Sequence, residues 1–241
     1  DIVKFLERLR AVTDSYGERF TVAEVGGDHA LGEMKAFTAG DARLNSAYGF
    51  DFLYAAKLTP ALVAEIAQNW PEDSGWPSWA FENHDAPRAI SRWVGEEHRD
   101  TFARMKMLLL CSLRGSIILY QGEELGLPQV DVPFDRLQDP EAIANWPLTL
   151  SRDGARTPMP WTTGAPNLGF STVEGWLPVG TTHAPLAVDL QQGNNDSVLQ
   201  FTKASLALRR SRPALRQGSI SIAEAGEALL APVEELGFTH G

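Results

Sequence analysis

The fold is indicated by residues 78–85, SWAFENHD, in which a short, mostly apolar run passes directly into polar residues. Residues 78–81 suit a buried strand, so the four residues that follow stand at its C-terminal end. The same arrangement occurs twice more, with Glu24 after the apolar run 20–23 and QGEE after the run 116–120. The catalytic groups of a (β/α)8 barrel collect at its strand C-terminal ends, whereas an open sheet concentrates them at one switch point. Three polar strand ends in succession therefore favour a barrel.

Helices are predicted between these strands. Apolar residues recur at helical spacing in the segments 2–16, 60–68, 97–113 and 198–210. Short apolar runs predict strands at 20–23, 47–53, 78–81 and 116–120. Strands that alternate with helices are typical of a parallel sheet covered on both faces, so the predicted fold class is α/β. Periodicity alone fits both an open doubly wound sheet and a closed barrel, and the polar strand ends are what separate them.

Composition and charge limit the classes of partner. The 241 residues are 44% hydrophobic and 22% charged, enough to bury a sizeable core. The formal net charge is −10 with no basic block, so we expect no nucleic-acid partner. The longest apolar run, near residues 107–111, is far shorter than the ~20 residues that cross a bilayer, so we expect no membrane partner. Cys111 is the single cysteine, which excludes an intrachain disulfide and leaves the compartment open.

Two of the polar strand ends suit glycoside hydrolysis. Glu24 is followed by two glycines that let a ligand approach the backbone, and a partly desolvated carboxyl in such a place serves as a general acid. His84 and Asp85 bring an imidazole and a second carboxylate to another strand end. Glycoside hydrolysis needs a proton donor at the leaving oxygen and negative charge beneath the sugar ring. A His–Asp pair also occurs at metal sites and beside nucleophiles, but the sequence has no second histidine at ligand spacing and no Gly-x-Ser-x-Gly elbow.

Four motifs, in order along the chain, resemble those of glycoside hydrolase family 13, the α-amylase superfamily. Residues 21–27, TVAEVGG, resemble the family's acid/base region, and residues 81–85, FENHD, resemble the region that ends in its third carboxylate. Residues 120–126, YQGEELG, and 152–161, RDGARTPMPW, are similar to the α-glucosidase and oligo-1,6-glucosidase branch. The resemblance implies a retaining α-glucosidase that hydrolyses terminal α-linked glucose from small oligosaccharides or α-glucosides.

The resemblance also implies roles for individual residues. Two would be catalytic: Glu24, as acid and then base, and Asp85, which favours the distorted ring of the bound glucose. Four would line the substrate site: His84 on the sugar hydroxyls, Arg152 near the non-reducing end, Phe50 against the apolar ring face and Gly26 on the aglycone side.

Physical chemistry supports these roles unequally. The fork of donors on Arg152 can hold a sugar hydroxyl and pair with a carboxylate. Arg156, the second arginine of the same motif, is expected to be structural. The ring of Phe50 suits the C–H face of a sugar, but it suits packing in the core equally well.

A domain layout follows from the same resemblance. Residues 1–212 would form the C-terminal half of a (β/α)8 barrel, with a long excursion at about 121–195, and residues 213–241 would begin an all-β C-terminal domain. The family's nucleophilic aspartate lies in a Gly-Phe-Arg-x-Asp type motif, which this sequence lacks. We therefore expect a fragment that is inactive by itself. We expect no cofactor here, and any calcium or magnesium site would belong to the missing N-terminal part.

Other functions stay open from the sequence. Transglucosylases and sucrose isomerases of the family differ in the acceptor, which depends on loop geometry. Non-catalytic scaffold proteins with this fold also exist, such as amino-acid transporter heavy chains, but a scaffold has no physical need for clustered polar groups at a barrel mouth. The sequence does not decide between α-1,4 and α-1,6 linkages.

Overall fold

The computed structural model describes residues 2–70, 75–149 and 151–221. Its helices, in chain order, are α1 (Ile2–Asp14), α2 (Ala30–Thr38), α3 (Pro60–Gln68), α4 (Ala89–Trp93), α5 (Arg99–Ser112), α6 (Pro140–Asn145), α7 (Val188–Gln192), α8 (Val198–Ser211) and α9 (Pro213–Gln217). Its strands are β1 (Val22–Glu24), β2 (Ser46–Tyr48), β3 (Pro77–Trp79) and β4 (Ser116–Ile117).

The strands form one parallel sheet whose spatial order is the chain order, β1-β2-β3-β4. Ala23 pairs with Ala47, and Ser78 with Ser116, so neighbouring strands run in the same direction and end at the same edge. Parallel neighbours need a crossover between them, and each crossover here contains at least one helix. The α/β class predicted from the sequence is confirmed. Because the spatial order of the strands is their chain order, each crossover moves to the next strand in the same direction across the sheet.

The described residues divide into two compact units. The first lies within residues 1–80, 109–118 and 209–241 and contains the whole sheet. The second comprises residues 81–108 and 119–208 and contains the predicted excursion. Its excursion has short α-helices and 3-10 turns, as the loss of periodicity there predicts.

Trp79, the last residue of β3, lies in the core of the first unit. Its ring packs edge-on against Phe52 and Trp70, with centroid distances of 5.8 and 6.4 Å. The indole N–H donates to the carbonyl of Arg114, so the one polar atom of this buried ring has a partner. This packing fixes the end of β3, from which the polar residues 82–85 continue.

Apolar packing in the second unit is divided among small clusters. One joins the segment after β4 to later parts of the chain through Leu125, Leu127, Met159, Leu186 and Leu199. Another lies within the excursion and is made of Val132, Leu137, Ala142 and Leu177. Because these clusters draw on residues 125–199, they hold the excursion in a defined conformation.

Helix predictions agree with the structure better than strand predictions do. α3 has the predicted bounds, because Thr59 accepts a hydrogen bond from the amide of Leu62 at 3.2 Å and Pro60 occupies the first turn. The strand predicted at 47–53 was wrong beyond Tyr48. There the carbonyl of Phe50 accepts from the amide of Leu53 at 3.0 Å, so the chain turns instead of extending.

The predicted β domain stays a prediction. Residues 213–217 form helix α9, which begins at a proline in its first turn. Residues 222–241 lie outside the described residues, and the predicted domain falls largely on them.

Candidate active site

Glu24 is the last residue of β1, and its side chain is exposed. The backbone beyond it is open: a Cβ added at Gly26 would meet no atom within 4 Å. Gly27 has a φ of +103°, a conformation that glycine adopts without strain. The expected desolvation of Glu24 is therefore not provided by these residues, but the carboxyl and the following backbone are both accessible to a ligand.

Phe50 belongs to a group of three aromatic rings at the end of β2 and in the segment after it. Its ring meets Tyr48 edge-on at 5.3 Å and stacks on Tyr54 at 6.0 Å. Tyr54 is 65% exposed, so the group reaches the surface of the first unit. Glu24 pairs in register with Tyr48, which places the carboxyl and these rings at the same end of the sheet. Of the residues predicted from the sequence, Glu24, Gly26 and Phe50 are thus brought to one edge.

His84 and Asp85 follow β3 in a turn that Asn83 organises. The side-chain oxygen of Asn83 accepts hydrogen bonds from the amides of Asp85 and Ala86 at 2.9 and 2.7 Å. Such a turn fixes the backbone just where the two candidate side chains leave it. His84 is exposed, and its Nε2 lies 3.5 Å from Oδ2 of Asp85. The predicted imidazole–carboxylate pair is therefore present and accessible.

Arg152 is held mainly by Asp139, a residue that the sequence analysis missed. Nε and Nη2 of Arg152 donate to the two carboxylate oxygens of Asp139 at 3.0 and 2.7 Å, whereas Nη1 lies 3.4 Å from Oδ1 of Asp85. The hydrogen bonds from Arg152 hold the pKa of Asp139 far below its usual range, and Asp139 in turn raises the pKa of Arg152. The Asp-Pro sequence at 139–140 indicates a helix N-cap, but nothing in it indicates an arginine partner.

Arg156, which we expected to be structural, makes the shortest contact with Asp85. Its Nη2 donates to Oδ1 of Asp85 at 2.6 Å, and its Nε donates to the carbonyl of His84 at 2.7 Å. Oδ1 of Asp85 thus faces both arginines, and Oδ2 faces His84. The orientation of the Asp85 carboxylate is set by Arg156 at least as much as by Arg152.

A buried charge cluster, Glu82–Lys106–Glu123, lies in the same unit. Nζ of Lys106 donates to Oε1 of Glu82 and to Oε1 of Glu123, both at 2.8 Å. All three side chains have no exposed surface. Glu82 also accepts from the backbone amide of Ala89 at 3.1 Å and lies 3.3 Å from Nη1 of Arg88. The charge cluster connects the loop after β3 to the loop after β4.

Burial and neighbouring charges together shift the pKa values in this charge cluster in different directions. Burial and the neighbouring Glu82 charge raise the pKa of Glu123 to about 7, against the opposing effect of Lys106. Burial would also raise the pKa of Glu82, but Lys106 and Arg88 outweigh it and lower that pKa. For Lys106, burial acts to lower the pKa, yet the two carboxylates outweigh it and raise the pKa. Lys106 is therefore charged, and Glu123 is the member that gains a proton first near neutral pH.

Within residues 2–70, 75–149 and 151–221, no group of three or more His, Cys, Asp or Glu side chains is placed to hold a metal ion. No helix in those ranges is both long enough and apolar enough to cross a membrane.

Comparison with known proteins identifies the family. Residues 1–218 match the alpha-amylase catalytic domain. The chain belongs to the alpha-amylase family. This confirms the resemblance to glycoside hydrolase family 13 that was drawn from the four motifs.

Two relatives within the alpha-amylase family are named as glucosidases. The "Probable alpha-glucosidase" of Rhizobium meliloti (strain 1021) is 41% identical over 234 residues, which cover 95% of this chain and 42% of that protein. The "Probable oligo-1,6-glucosidase 2" of Bacillus subtilis (strain 168) is 33% identical over 172 residues, or 63% of this chain and 30% of that one. The chain thus spans less than half the length of these relatives.

A solved structure confirms the fold. The α-glucosyl transfer enzyme XgtA superposes with a TM-score of 0.86 and 44% identity, covering 93% of this chain and 42% of that chain. The parallel sheet with its helices is therefore part of the (β/α)8 barrel of the alpha-amylase family, as the polar strand ends predict.

Proposed function

We propose that the full-length protein hydrolyses terminal α-linked glucose from small oligosaccharides or α-glucosides, with retention of configuration. The observation that carries the proposal is the arrangement around Asp85, whose partly exposed carboxylate stands between an exposed imidazole and two arginines. Carboxylate, imidazole and guanidinium groups together offer the acceptors and donors that sugar hydroxyls require. The 41% identity to a probable alpha-glucosidase across 95% of the chain supports the same substrate class.

Glu24 is the proton donor in this mechanism. It protonates the leaving oxygen and then, as a carboxylate, takes a proton from the incoming water. Asp85 and His84 hold hydroxyls of the bound glucose, and the ring of Phe50 packs against the sugar. Gly26, with its open backbone, leaves room for the aglycone.

The nucleophile is assigned to a part of the protein outside residues 1–241. A retaining glycosidase needs a second carboxylate about 5–5.5 Å from the acid, to form the covalent glucosyl intermediate. Asp85 is committed to its arginine partners and, in this proposal, to sugar hydroxyls. Since no Gly-Phe-Arg-x-Asp motif occurs in the sequence, these residues alone would bind glucose without cleaving the glycosidic bond.

Transfer of glucose to a second sugar is the alternative to hydrolysis. The observation that favours it is the 44% identity to XgtA, which is described as an α-glucosyl transfer enzyme. Both reactions share the first step and differ only in whether water or a sugar hydroxyl attacks the glucosyl intermediate. Residues that admit or exclude the acceptor therefore decide between them.

Product analysis of the full-length protein tests the proposal. With maltose or isomaltose as substrate, we expect free glucose as the main product. With p-nitrophenyl α-glucoside, whose only sugar is the transferred glucose, the product should appear first as the α-anomer because two inversions restore the configuration. Proton NMR of the anomeric signals measures this during the first minutes of reaction. Products longer than maltose or isomaltose would establish transfer instead, and initial release of the β-anomer from the aryl glucoside would exclude retention.

Residues 1–241 alone serve as the matched control for that experiment. We expect no release of p-nitrophenol from p-nitrophenyl α-glucoside, because the covalent step lacks its nucleophile. Steady turnover by this chain would show that one of its own acids is the nucleophile. That result would contradict the assignment given above without contradicting α-glucosidase activity.

Asp85→Asn and Arg152→Ala are expected to have different effects in the full-length protein. Asp85→Asn should lower kcat/KM by about 10- to 100-fold with little change in Tm, because hydrogen bonds to charged groups contribute about 1.5–3 kcal/mol. Arg152→Ala should lower kcat/KM and Tm together, because it leaves the carboxylate of Asp139, only 1% exposed, without its arginine. Initial-rate kinetics and thermal melts of both variants measure this. A lower Tm with normal kinetics for Asp85→Asn would remove Asp85 from the glucose site.

A further inference from the structure

Arg88 connects three separate segments of the second unit. Its guanidinium is buried, and Nη1 lies 3.3 Å from Oε2 of Glu82, in the loop after β3. Nη1 also donates to the carbonyl of Gln121 at 3.0 Å, in the loop after β4. Nη2 donates to the carbonyl of Ala155 at 3.2 Å, in the 3-10 turn Arg152–Ala155. One side chain therefore fixes the spacing of three loops.

The Arg88 guanidinium lies beside an aromatic ring and a glycine, and of its nitrogens Nε is buried without a hydrogen-bond partner among the described residues. Its central carbon lies 5.2 Å from the centroid of the Tyr120 ring, and the hydroxyl of Tyr120 donates to the same carbonyl of Ala155 at 3.0 Å. Gly122 has a φ of +89°, and a Cβ added there would lie 3.0 Å from Nη1 of Arg88. A Cβ at position 122 would press first on Cδ1 of Leu127, 2.6 Å away, and then on the guanidinium, so the loop after β4 leaves no room for a side chain beside Arg88.

The segments that Arg88 joins carry the candidate glucose-binding residues. Asp85 lies three positions before Arg88 in one of them. In another, Ala155 stands between Arg152 and Arg156, the two arginines that face Oδ1 of Asp85. A shift of the turn relative to the loop after β3 would alter both of these contacts at once.

We propose that Arg88 is a positioning residue of the active site, which holds Asp85 at a fixed distance from Arg152 and Arg156. Its kinetic consequence rests on the proposed function, in which Asp85 holds glucose hydroxyls. The guanidinium acts through the loops it joins and does not itself touch the sugar, since it is only 2% exposed.

Lysine cannot replace arginine in this role. The acceptors of Glu82, Gln121 and Ala155 lie on three segments, and only a planar fork with several N–H groups reaches all of them. Lysine keeps the positive charge beside Glu82 but offers a single nitrogen. Arg88→Lys therefore tests the geometry of the site while the charge is retained.

Arg209→Lys is the matched control. Arg209 is also buried, and its guanidinium donates to the carbonyls of Cys111, Leu113 and Gly115 in the first unit. It therefore loses a similar set of backbone contacts when replaced by lysine, but none of those contacts involves the segments around Asp85. A comparable fall in Tm is expected for both variants.

The kinetic experiment compares both variants in the full-length protein with p-nitrophenyl α-glucoside. Arg88→Lys should lower kcat/KM by about 10- to 100-fold, because misplacement by about 1 Å costs up to that much. Arg209→Lys should stay within about twofold of the wild type. In an Asp85→Asn background the effect of Arg88→Lys should nearly vanish, because the residue through which it acts is already impaired. Equal effects in both backgrounds would mean that Arg88 is only structural.

A crystal structure of Arg88→Lys tests the inference without any activity. The contact between Arg156 Nη2 and Asp85 Oδ1, 2.6 Å here, should lengthen or break, whereas it should persist in Arg209→Lys. Unchanged positions of the turn and the loop after β3 would overturn the inference. Absence of turnover in the wild type would instead count against the proposed function, and the structural comparison would still decide the role of Arg88.

Discussion

Replacing Glu24 with glutamine in the full-length protein is expected to lower kcat for maltose and isomaltose by about 10²–10⁴-fold, the usual contribution of a positioned general acid. The amide keeps the shape of the side chain but cannot protonate the leaving oxygen. Because Glu24 is exposed at the end of β1, the substitution should leave Tm unchanged. Initial rates on both sugars, with glucose measured enzymatically, give the size of the effect.

The leaving group separates an acid from other roles of Glu24. An activated aryl glucoside needs little protonation, so formation of the glucosyl intermediate from it should suffer far less than cleavage of maltose. Glu18→Gln is the matched control, since Glu18 is also exposed but precedes β1 at its N-terminal end, away from the face where barrel enzymes bind substrate. Equal losses on the aryl glucoside and on maltose would show that Glu24 has a role other than proton donation.

Local sequence signals predicted the residues at strand ends but not the contacts between distant segments. Glu24, His84 and Asp85 were found because each follows a short apolar strand, and strand ends are a local feature. Asp139 and Arg156 were missed or misjudged because their importance lies in contacts with Arg152 and Asp85, which are 13 and 71 residues away. Such pairings arise from how the excursion folds back, which no short motif encodes.

A similar limit applies to the secondary structure. α3 could be predicted to the residue because a capping threonine and a proline mark its start within the sequence. β2 could not, because apolar residues continue past the end of the strand: Phe52 and Leu53 are buried in a turn and do not pair with a neighbouring strand. Buried positions are occupied by apolar residues in strands and in turns alike, so hydrophobicity alone does not show where a strand ends.

The sequence marks Lys106 as an unusual residue in α5 but does not show which residues it contacts. It stands between two methionines in the most apolar part of α5, where a charged residue must find buried partners or face away from the core. The structure supplies those partners as Glu82 and Glu123, both at 2.8 Å. These partners lie on the loops after β3 and β4, so the lysine links the polar segments that follow two of the strands.

Lys106→Met is expected to lower the free energy of unfolding by about 3–5 kcal/mol, the usual cost of removing one partner from a buried ion pair. Methionine fills a similar volume, but Glu123 then loses the ammonium group that it contacts, and Glu82 keeps its contact with Arg88 at 3.3 Å. Urea unfolding followed by tryptophan fluorescence measures the loss. By contrast, Arg136→Met breaks an ion pair whose side chains are 38% and 75% exposed, and it should cost about 0–1 kcal/mol.

A second substitution tests whether Lys106→Met destabilises the protein through the loss of charge or through poorer packing. Lys106→Met/Glu123→Gln leaves Glu82 with Arg88, one negative and one positive charge, so the double variant should be more stable than Lys106→Met alone.

The loss of unfolding free energy in Lys106→Met should also grow with pH. Without the lysine, burial and mutual repulsion raise the carboxyl pKa values above the unfolded value of 4.5, beyond the shift to about 7 that Glu123 already has. The folded state then binds more protons than the unfolded state, so stability falls as pH rises from about 5 to 8. A double variant less stable than the single one, or a loss independent of pH, would show that Lys106 stabilises the protein by packing and not by its charge.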